Sequence, residues 1–366
     1  MRVLTINAGS TSVKVERYDL SGVLPPIADP PSPAYIAAPP ELDDDILAES
    51  LGPAVDVVAH RFVRMPDGTG EARRLDQREL DRIVACGADA PLHDAIALRA
   101  VQAVERLRPG IPQLAVSDSA FHSAMPEAAT TYAIPRALTQ SGLRRRGYHG
   151  LSHEYAAHRG SALAGVDLAS ARVVTAHLGG GSSLCAVLRG ASIDTTMGYT
   201  PLDGLPMATR SGSVDPGLLI HLLRSGTSVD ALDEMLERRS GLLGISGISG
   251  DVRELLAARS APAATLALDV LAWRLRAALG AMAAVLGGID VLVFTGGIGE
   301  NAGAIRAAAV EGGLGLGIAI DEERNGTAGE GRIDAGASPV AVCVVAAREG
   351  WQLARTAASS GRANVS

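Results

Sequence analysis

Residues 3–6, Val3-Leu4-Thr5-Ile6, are a short apolar run that delivers the chain to Asn7, Ala8, Gly9, Ser10, Thr11, Ser12, Val13 and Lys14. The pattern predicts a β-hairpin whose turn is made of an amide, a glycine, hydroxylated residues and a cation. Such a turn can press backbone N–H groups and hydroxyls against a phosphate, because nothing bulky blocks the approach. An ordinary polar hairpin fits the same residues. The Gly-x-x-x-x-Gly-Lys-Ser/Thr phosphate loop does not, since no second glycine precedes Lys14. Two further turns are of this kind. Arg172 to Leu178 predicts a strand ending in Gly179-Gly180-Gly181-Ser182-Ser183, and a second strand follows over Leu184 to Leu188. Val291 to Phe294 leads into Thr295-Gly296-Gly297-Ile298-Gly299-Glu300-Asn301, with a helix expected from near Ala302. Any one of these is explained by tight-turn geometry. Three of them, each after an apolar strand, point to the phosphates and ribose of a nucleotide.

Strands and helices must hold these turns in place. Residues 55–63 and 113–117 predict buried strands, and 76–86 and 93–108 predict helices, the second ending at Pro109-Gly110. Residues 21–45, Pro-rich and then acidic at Asp43, Asp44 and Asp45, predict an exposed loop. The tail predicts a strand over 340–346 and then a helix carrying Trp351. The apolar stretch 263–289 contains Asp269, Arg274 and Arg276, so it reads as a buried or interface helix and not a membrane span. Strands alternating with helices argue an α/β architecture. Strand, small-residue turn, strand opens each half, which suggests two related domains.

Composition narrows the function. A chain of 366 residues exceeds one typical core. The net charge of −7 offers no basic footprint for nucleic acid, and 3% aromatic residues offer few stacking platforms for bases. Cys86, Cys185 and Cys343 stand far apart without a C-x-x-C pair, against a disulfide framework or zinc site and for a reducing compartment. The chain opens on a strand, so the expectation is no signal peptide and a cytoplasmic protein with neither a nucleic-acid nor a membrane partner.

The ordered motifs resemble the acetate kinase family, within the acetate and sugar kinase, heat-shock ATPase and actin superfamily. They are Asn7 to Lys14, His60-Arg61, Ala90-Pro91-Leu92-His93, Asp118 to His122, Arg146 to His153, His177-Leu178-Gly179, Asp194 to Leu202, Thr209-Arg210-Ser211-Gly212, Ser240 to Ser249 and Phe294 to Asn301. The resemblance implies two duplicated ribonuclease-H-like (actin-like ATPase) domains with the nucleotide in an interdomain cleft. The domains expected are 1–150 and 151–351, with a C-terminal helix of about 352–366 returning to the first. It also implies Mg2+ (or Mn2+), ATP/ADP as substrate, acetate or another short-chain carboxylate as acceptor, and a homodimer, for which helix 263–288 is a candidate surface.

Transfer to a carboxylate differs from transfer to a sugar hydroxyl. A carboxylate of pKa about 4–5 is already ionised at neutral pH and needs no general base. The site must instead bring two anions together and neutralise charge spread over the moving phosphoryl group. The resemblance supplies groups for this. Arg61 and Arg210 match the active-site arginines, and a guanidinium can hold a carboxylate while reaching a phosphoryl oxygen. Asp118 positions Arg61 or the metal. His149 matches a histidine that stabilises the transition state, and His93 and His177 match two more, His177 lying against the phosphates. Glu349, expected at the end of the C-terminal strand, matches a magnesium-linked glutamate, and Asn7 is placed toward the phosphate and its metal. Lys14, Gly179, Gly180, Gly181, Gly296, Gly297, Gly299 and Asn301 fall to the nucleotide. Val63, Leu92 and Pro201, with Arg61 and His93, fall to the acid. Plainer readings stay open: Arg61 as a structural ion-pair partner, Asp118 as a helix N-cap, and His149 and His153 as neighbours on one helix face.

The chain departs from the family pattern at three places. Arg64 replaces a second histidine after His60-Arg61, Gly180 replaces an asparagine, and Ala346-Ala347-Arg348-Glu349-Gly350 keeps one glutamate of a usual pair. These changes spare the central arginines, histidines and Asp118. They leave three readings: an acetate kinase, a propionate or other short-chain carboxylate kinase, and a catalytically weakened nucleotide-binding regulator.

Overall fold

The computed structural model describes residues 1–366 except 9–12, 21–23, 38–42, 53, 64, 67–71, 87–90, 328 and 364–366, and except the side chains of 91–93 and 361–363. Gly9 to Ser12, Arg64, and the side chains of Leu92 and His93 therefore lie outside the described residues. The chain divides into two compact units. One comprises Met1–Ser123, Tyr148–Tyr155 and Arg348–Ser366, and the other Ala124–Gly147 and Ala156–Ala347.

Among the described residues the first unit carries a six-stranded sheet of β1 (Arg2–Ala8), β2 (Val13–Asp19), β3 (Tyr35–Ala37), β4 (Val57–Phe62), β5 (Arg73–Arg74) and β6 (Gln113–Ser117), in the order β3-β2-β1-β4-β6-β5. The second carries β7 (Arg172–Leu178), β8 (Ser182–Leu188), β9 (Ala191–Thr195), β10 (Val291–Thr295), β11 (Gly331–Arg332) and β12 (Ala341–Val344), in the order β9-β8-β7-β10-β12-β11. In each sheet the first two strands form an antiparallel hairpin, and the first strand runs parallel to the fourth. The duplication expected from the repeated hairpins is thus present strand for strand.

Register makes the correspondence residue-specific. Asn7 pairs Lys14 one step before the last pair, Ala8 and Val13. His177 pairs Ser183 one step before the last pair, Leu178 and Ser182. Asn7 and His177 hold equivalent places, each at the carboxyl end of a central strand, where α/β sheets place their ligands.

The strands form where expected because they are continuous apolar runs buried on both faces. Val57–Phe62 is buried along its whole length. The core of the first unit packs Leu4, Ile6, Val15, Leu47, Val58 and Val104. Trp351, fully buried on helix Glu349–Ala363, packs its ring 5.8 Å from that of Tyr18 and donates Nε1–H to the Ile27 carbonyl at 2.9 Å. In the second unit, helix Pro262–Leu286 lays Leu268, Leu271, Leu275, Leu279 and Met282 into the core and leaves Leu266, Trp273 and Val285 outside. Among the described residues no helix is long and apolar enough to cross a membrane.

Three expectations are corrected. The stretch 21–45 is not all loop, since it contains edge strand β3 and the start of helix Asp44–Leu51, capped by Asp43 Oδ1 on the Ile46 N–H at 2.8 Å. The glycine turn expected over Thr295 to Asn301 is itself a short helix, Gly296–Asn301, directly off β10, while the helix expected near Ala302 is present as Gly303–Ala309. Glu349 is the first residue of the C-terminal helix and not the end of a strand.

Candidate active site

At the carboxyl ends of β1, β4 and β6 the first unit assembles Asn7, Arg61 and Asp118. Asp118 is fully buried and Arg61 is 8% exposed. Asp118 Oδ2 accepts from Arg61 Nη2 at 2.8 Å and from the main-chain N–H of His149 at 2.8 Å. Asp118 is therefore no N-cap, since its carboxylate reaches across to the turn before helix Gly150–Ala164. Its carbonyl takes the Gly150 N–H at 2.7 Å, so close that a Cβ at Gly150 would fall 2.4 Å from that oxygen. His149 sits at φ 58° before the helix, which ends the picture of His149 and His153 sharing a helix face; their rings lie 6.4 Å apart.

Electrostatics follow from burial. Desolvation alone would raise the Asp118 pKa, but the Arg61 guanidinium and then the His149 contacts pull it down to about 2. Desolvation alone would lower that of Arg61, but Asp118 and then Glu349 hold it above its ordinary value. Asp118 Oδ1 and Arg61 Nε are buried and lack a hydrogen-bond partner among the described residues. Unsatisfied atoms of this kind are rare in protein interiors and are expected where a ligand binds.

Asn7 joins this pair to the C-terminal helix. Its Nδ2 donates to Glu349 Oε2 at 2.6 Å, while its Oδ1 faces Arg61 Nη1 at 3.4 Å. Lys14 stands across the hairpin and is exposed. Behind Glu349, a Cβ at Gly350 would land on the Glu16 carboxylate, so Glu16 fills the space that a longer residue at 350 would use. Val63, half-buried, donates its N–H to Asp94 Oδ1 at 2.8 Å.

In the second unit the two remaining glycine turns meet. Gly296 has φ 79°, and a Cβ there would fall 2.7 Å from the Leu178 carbonyl, so only glycine fits. A Cβ at Gly179 would lie 3.8 Å from His177 Nε2 and 3.9 Å from the Gly297 nitrogen. Gly180 is exposed and Gly299 buried. Asn301 Nδ2 donates to the Gly297 carbonyl at 2.9 Å. Arg210 is held separately, with Nε 3.2 Å from Glu237 Oε2 and Nη1 3.4 Å from the carbonyl of buried Pro201.

Sequence reasoning missed Asp94 and Glu237. Asp94 follows His93 directly, a signal of adjacency that was available. His122 donates its Nε2–H to the Tyr148 carbonyl, 2.9 Å away, and so fixes the turn that carries His149.

His122 and His60 also make the protein acid-sensitive. Burial pushes both pKa values down to about 4, against weaker upward pulls from hydrogen bonds to Tyr148 and Gln113. Between pH 6.5 and 4 the unfolded chain binds protons that the folded chain excludes, so stability falls as pH drops. From pH 7 to 5 the loss is about 2 kcal/mol per histidine. Urea unfolding at the two pH values checks it, and a His60→Gln variant should lose about half of the slope; an unchanged slope would contradict the assignment.

A duplicated mixed sheet, each copy carrying polar groups at the ends of its parallel strands, is the architecture of the two-domain actin-like ATPase fold. The sequence profile of the Acetokinase family matches residues 40–355. An acetate kinase from Gloeobacter violaceus is 41% identical, covering 97% of this chain and 98% of its own. The crystal structure of Porphyromonas gingivalis acetate kinase superposes with a TM-score of 0.85 at 33% identity, over 98% of this chain and 99% of its own. That of a propionate kinase from Francisella tularensis gives 0.85 at 33%, over 97% and 98%. This chain belongs to the acetokinase family.

Proposed function

We propose that this protein is an acetate kinase, moving the terminal phosphoryl group of ATP directly and reversibly to acetate to give acetyl phosphate and ADP. The observation that carries the reading is the state of Asp118. A kinase acting on a hydroxyl needs a carboxylate ready to accept a proton. Asp118 is fully buried at the strand ends and is committed to Arg61 and the His149 N–H with its basicity suppressed, while nearby buried Asp94 is taken by the Val63 N–H. Such a site suits an acceptor that arrives ionised.

Each side chain then has a task. Arg61, aimed by Asp118, neutralises charge on the acid and the phosphoryl group. His149, with its backbone fixed by Asp118, donates toward the same oxygens. Arg210, steadied by Glu237, supplies the second guanidinium. The turns at Gly179–Gly181 and Gly296–Asn301, with His177, hold the nucleotide. Val63, in the first unit, is assigned to the acid, as is Pro201 in the second.

Magnesium would be held by Glu349, whose orientation Asn7 sets, and would shield the phosphate charge. One carboxylate suits this ion, which keeps most of its waters and takes phosphate oxygens. The described residues hold no cluster of three or more His, Cys, Asp or Glu that would cage a metal.

The experiment is hydroxylamine trapping of the acyl phosphate with acetate, propionate and butyrate. Acetate should give the highest kcat/KM. A propionate preference would favour the second reading, which the likeness to a propionate kinase motivates; one methylene is worth only about 1–3 kcal/mol in a hydrophobic pocket. ATP binding without product from any acid would overturn both.

We also propose that the protein works as a cytoplasmic homodimer. Helix Pro216–Arg224 buries none of its residues and exposes Leu218, Ile220 and Leu223, and helix Pro262–Leu286 exposes Leu266, Trp273 and Val285. Apolar residues gathered on a surface in this way mark contact with a partner. Sedimentation equilibrium should give twice the chain mass, and a monomer would refute it.

A further inference from the structure

Arg306 belongs to none of the motifs above, yet it is among the most buried cations of the chain, at 2% exposure on helix Gly303–Ala309. Burying a guanidinium is costly, and a carboxylate partner is the usual remedy. No described carboxylate pairs with Arg306, and burial pulls its pKa below the ordinary value. Its partners are neutral oxygens. Nη1 donates to the carbonyls of Gly299 and Glu300 at 2.8 and 2.9 Å. Nε donates to Asn325 Oδ1 at 2.8 Å, and Nη2 to the Asn325 carbonyl at 2.6 Å. Asn325 in turn donates Nδ2 to the Gly303 carbonyl at 2.9 Å.

The acceptors at 299 and 300 are the last carbonyls of helix Gly296–Asn301, which would otherwise lack partners and which carry the negative end of that helix. Two of its side chains also anchor this helix: Ile298 packs against the core of the second unit, and Glu300 Oε1 accepts the Ala347 N–H at 3.0 Å. Only Gly296 and Gly299 of its residues are buried, and neither has a side chain to pack. Gly296 is fixed at one end against Leu178. Arg306 fixes the other.

We infer that Arg306 is a positioning residue for the nucleotide: it clamps the far end of helix Gly296–Asn301 and so keeps Gly296, Gly297 and Asn301 where the nucleotide meets them. The inference rests on the reading of this turn as a nucleotide contact. Arg306 does not touch the acid, and its effect should be confined to one substrate.

The test is Arg306→Met, with KM for ATP, KM for acetate, kcat and thermal midpoint measured together and ATP affinity checked by calorimetry. The expected result is a rise of about tenfold in KM and Kd for ATP, with kcat and KM for acetate within about twofold. Arg306→Lys, which keeps the charge but fewer donors, should recover part of the loss. If Arg306→Met does not fold, Asn325→Ala, which removes the Nε acceptor, should raise the same constants about threefold. Gly297→Leu separates the inference from its foundation. A Cβ there meets nothing within 4 Å, so the fold accepts the side chain, while a nucleotide on this turn would not. If Gly297→Leu binds ATP normally, the turn is not the nucleotide site. If Gly297→Leu weakens ATP but a folded Arg306→Met or Asn325→Ala variant does not, the role of Arg306 is overturned and the turn stands. Parallel loss toward ATP and acetate would also overturn it, since that is the mark of general damage.

Discussion

Replacing Asp118 with alanine is expected to cut kcat for acyl phosphate formation by about a thousandfold or more, the scale at which preorganised charge stabilisation is lost. One oxygen of this carboxylate fixes both the Arg61 guanidinium and the backbone of His149. Without it the two groups proposed to meet the transferring phosphoryl would lose their aim together. The variant should also be destabilised by about 3–5 kcal/mol, because Arg61 stays buried without its nearest counter-charge. Asp118→Asn separates the effects, since it keeps the shape and removes the charge. Steady-state trapping assays and circular-dichroism melts on both variants provide the check. A folded Asp118→Asn protein with near-normal kcat would show that the carboxylate's charge does not matter.

Arg210→Ala is expected to lose about a thousandfold in kcat/KM with the fold intact, as when a guanidinium that meets transition-state charge is removed from a phosphoryl-transfer site. The Arg210 side chain is about as buried as that of Arg61, 12% exposed against 9%, but its partner Glu237 is 22% exposed and reaches water, whereas Asp118 is sealed in. Loss of Arg210 leaves Glu237, whose pKa burial already raises against the pull of that guanidinium, free to take up a proton. The thermal midpoint should therefore move little. Arg210→Lys should recover only part of the activity, because an ammonium lacks the planar fork that spans two oxygens. Near-normal turnover by Arg210→Ala would remove this arginine from the mechanism.

Much of this was written locally in the chain. β1, β4, β7 and β10 were legible because strands buried on both faces are unbroken apolar runs, and their turns because small residues follow each run. Strand β3 was not, since a three-residue edge strand inside a Pro-rich segment has no room for a period. Glu349 was misplaced by one element because the apolar run Val340 to Ala347 has no break to mark that the strand ends at Val344. The cluster of Arg61, Asp118 and His149 was legible because a motif carries each residue. A residue that acts through a distant partner was not legible. Glu237 meets the loop residue Arg210 from helix Val229–Arg238, and Arg306 meets carbonyls, which have no letter in a sequence.

The packing of Glu16 against Gly350 ties the C-terminal motif to the second strand of the protein. A side chain placed at 350 would meet the Glu16 carboxylate at the position of its first carbon, so the flexible end of Glu16 would have to swing aside. Gly350→Glu should therefore cost more alone than after Glu16→Ala, and a double-mutant cycle on thermal midpoints checks it. A change in the C-terminal motif is thus felt at the far end of the sequence.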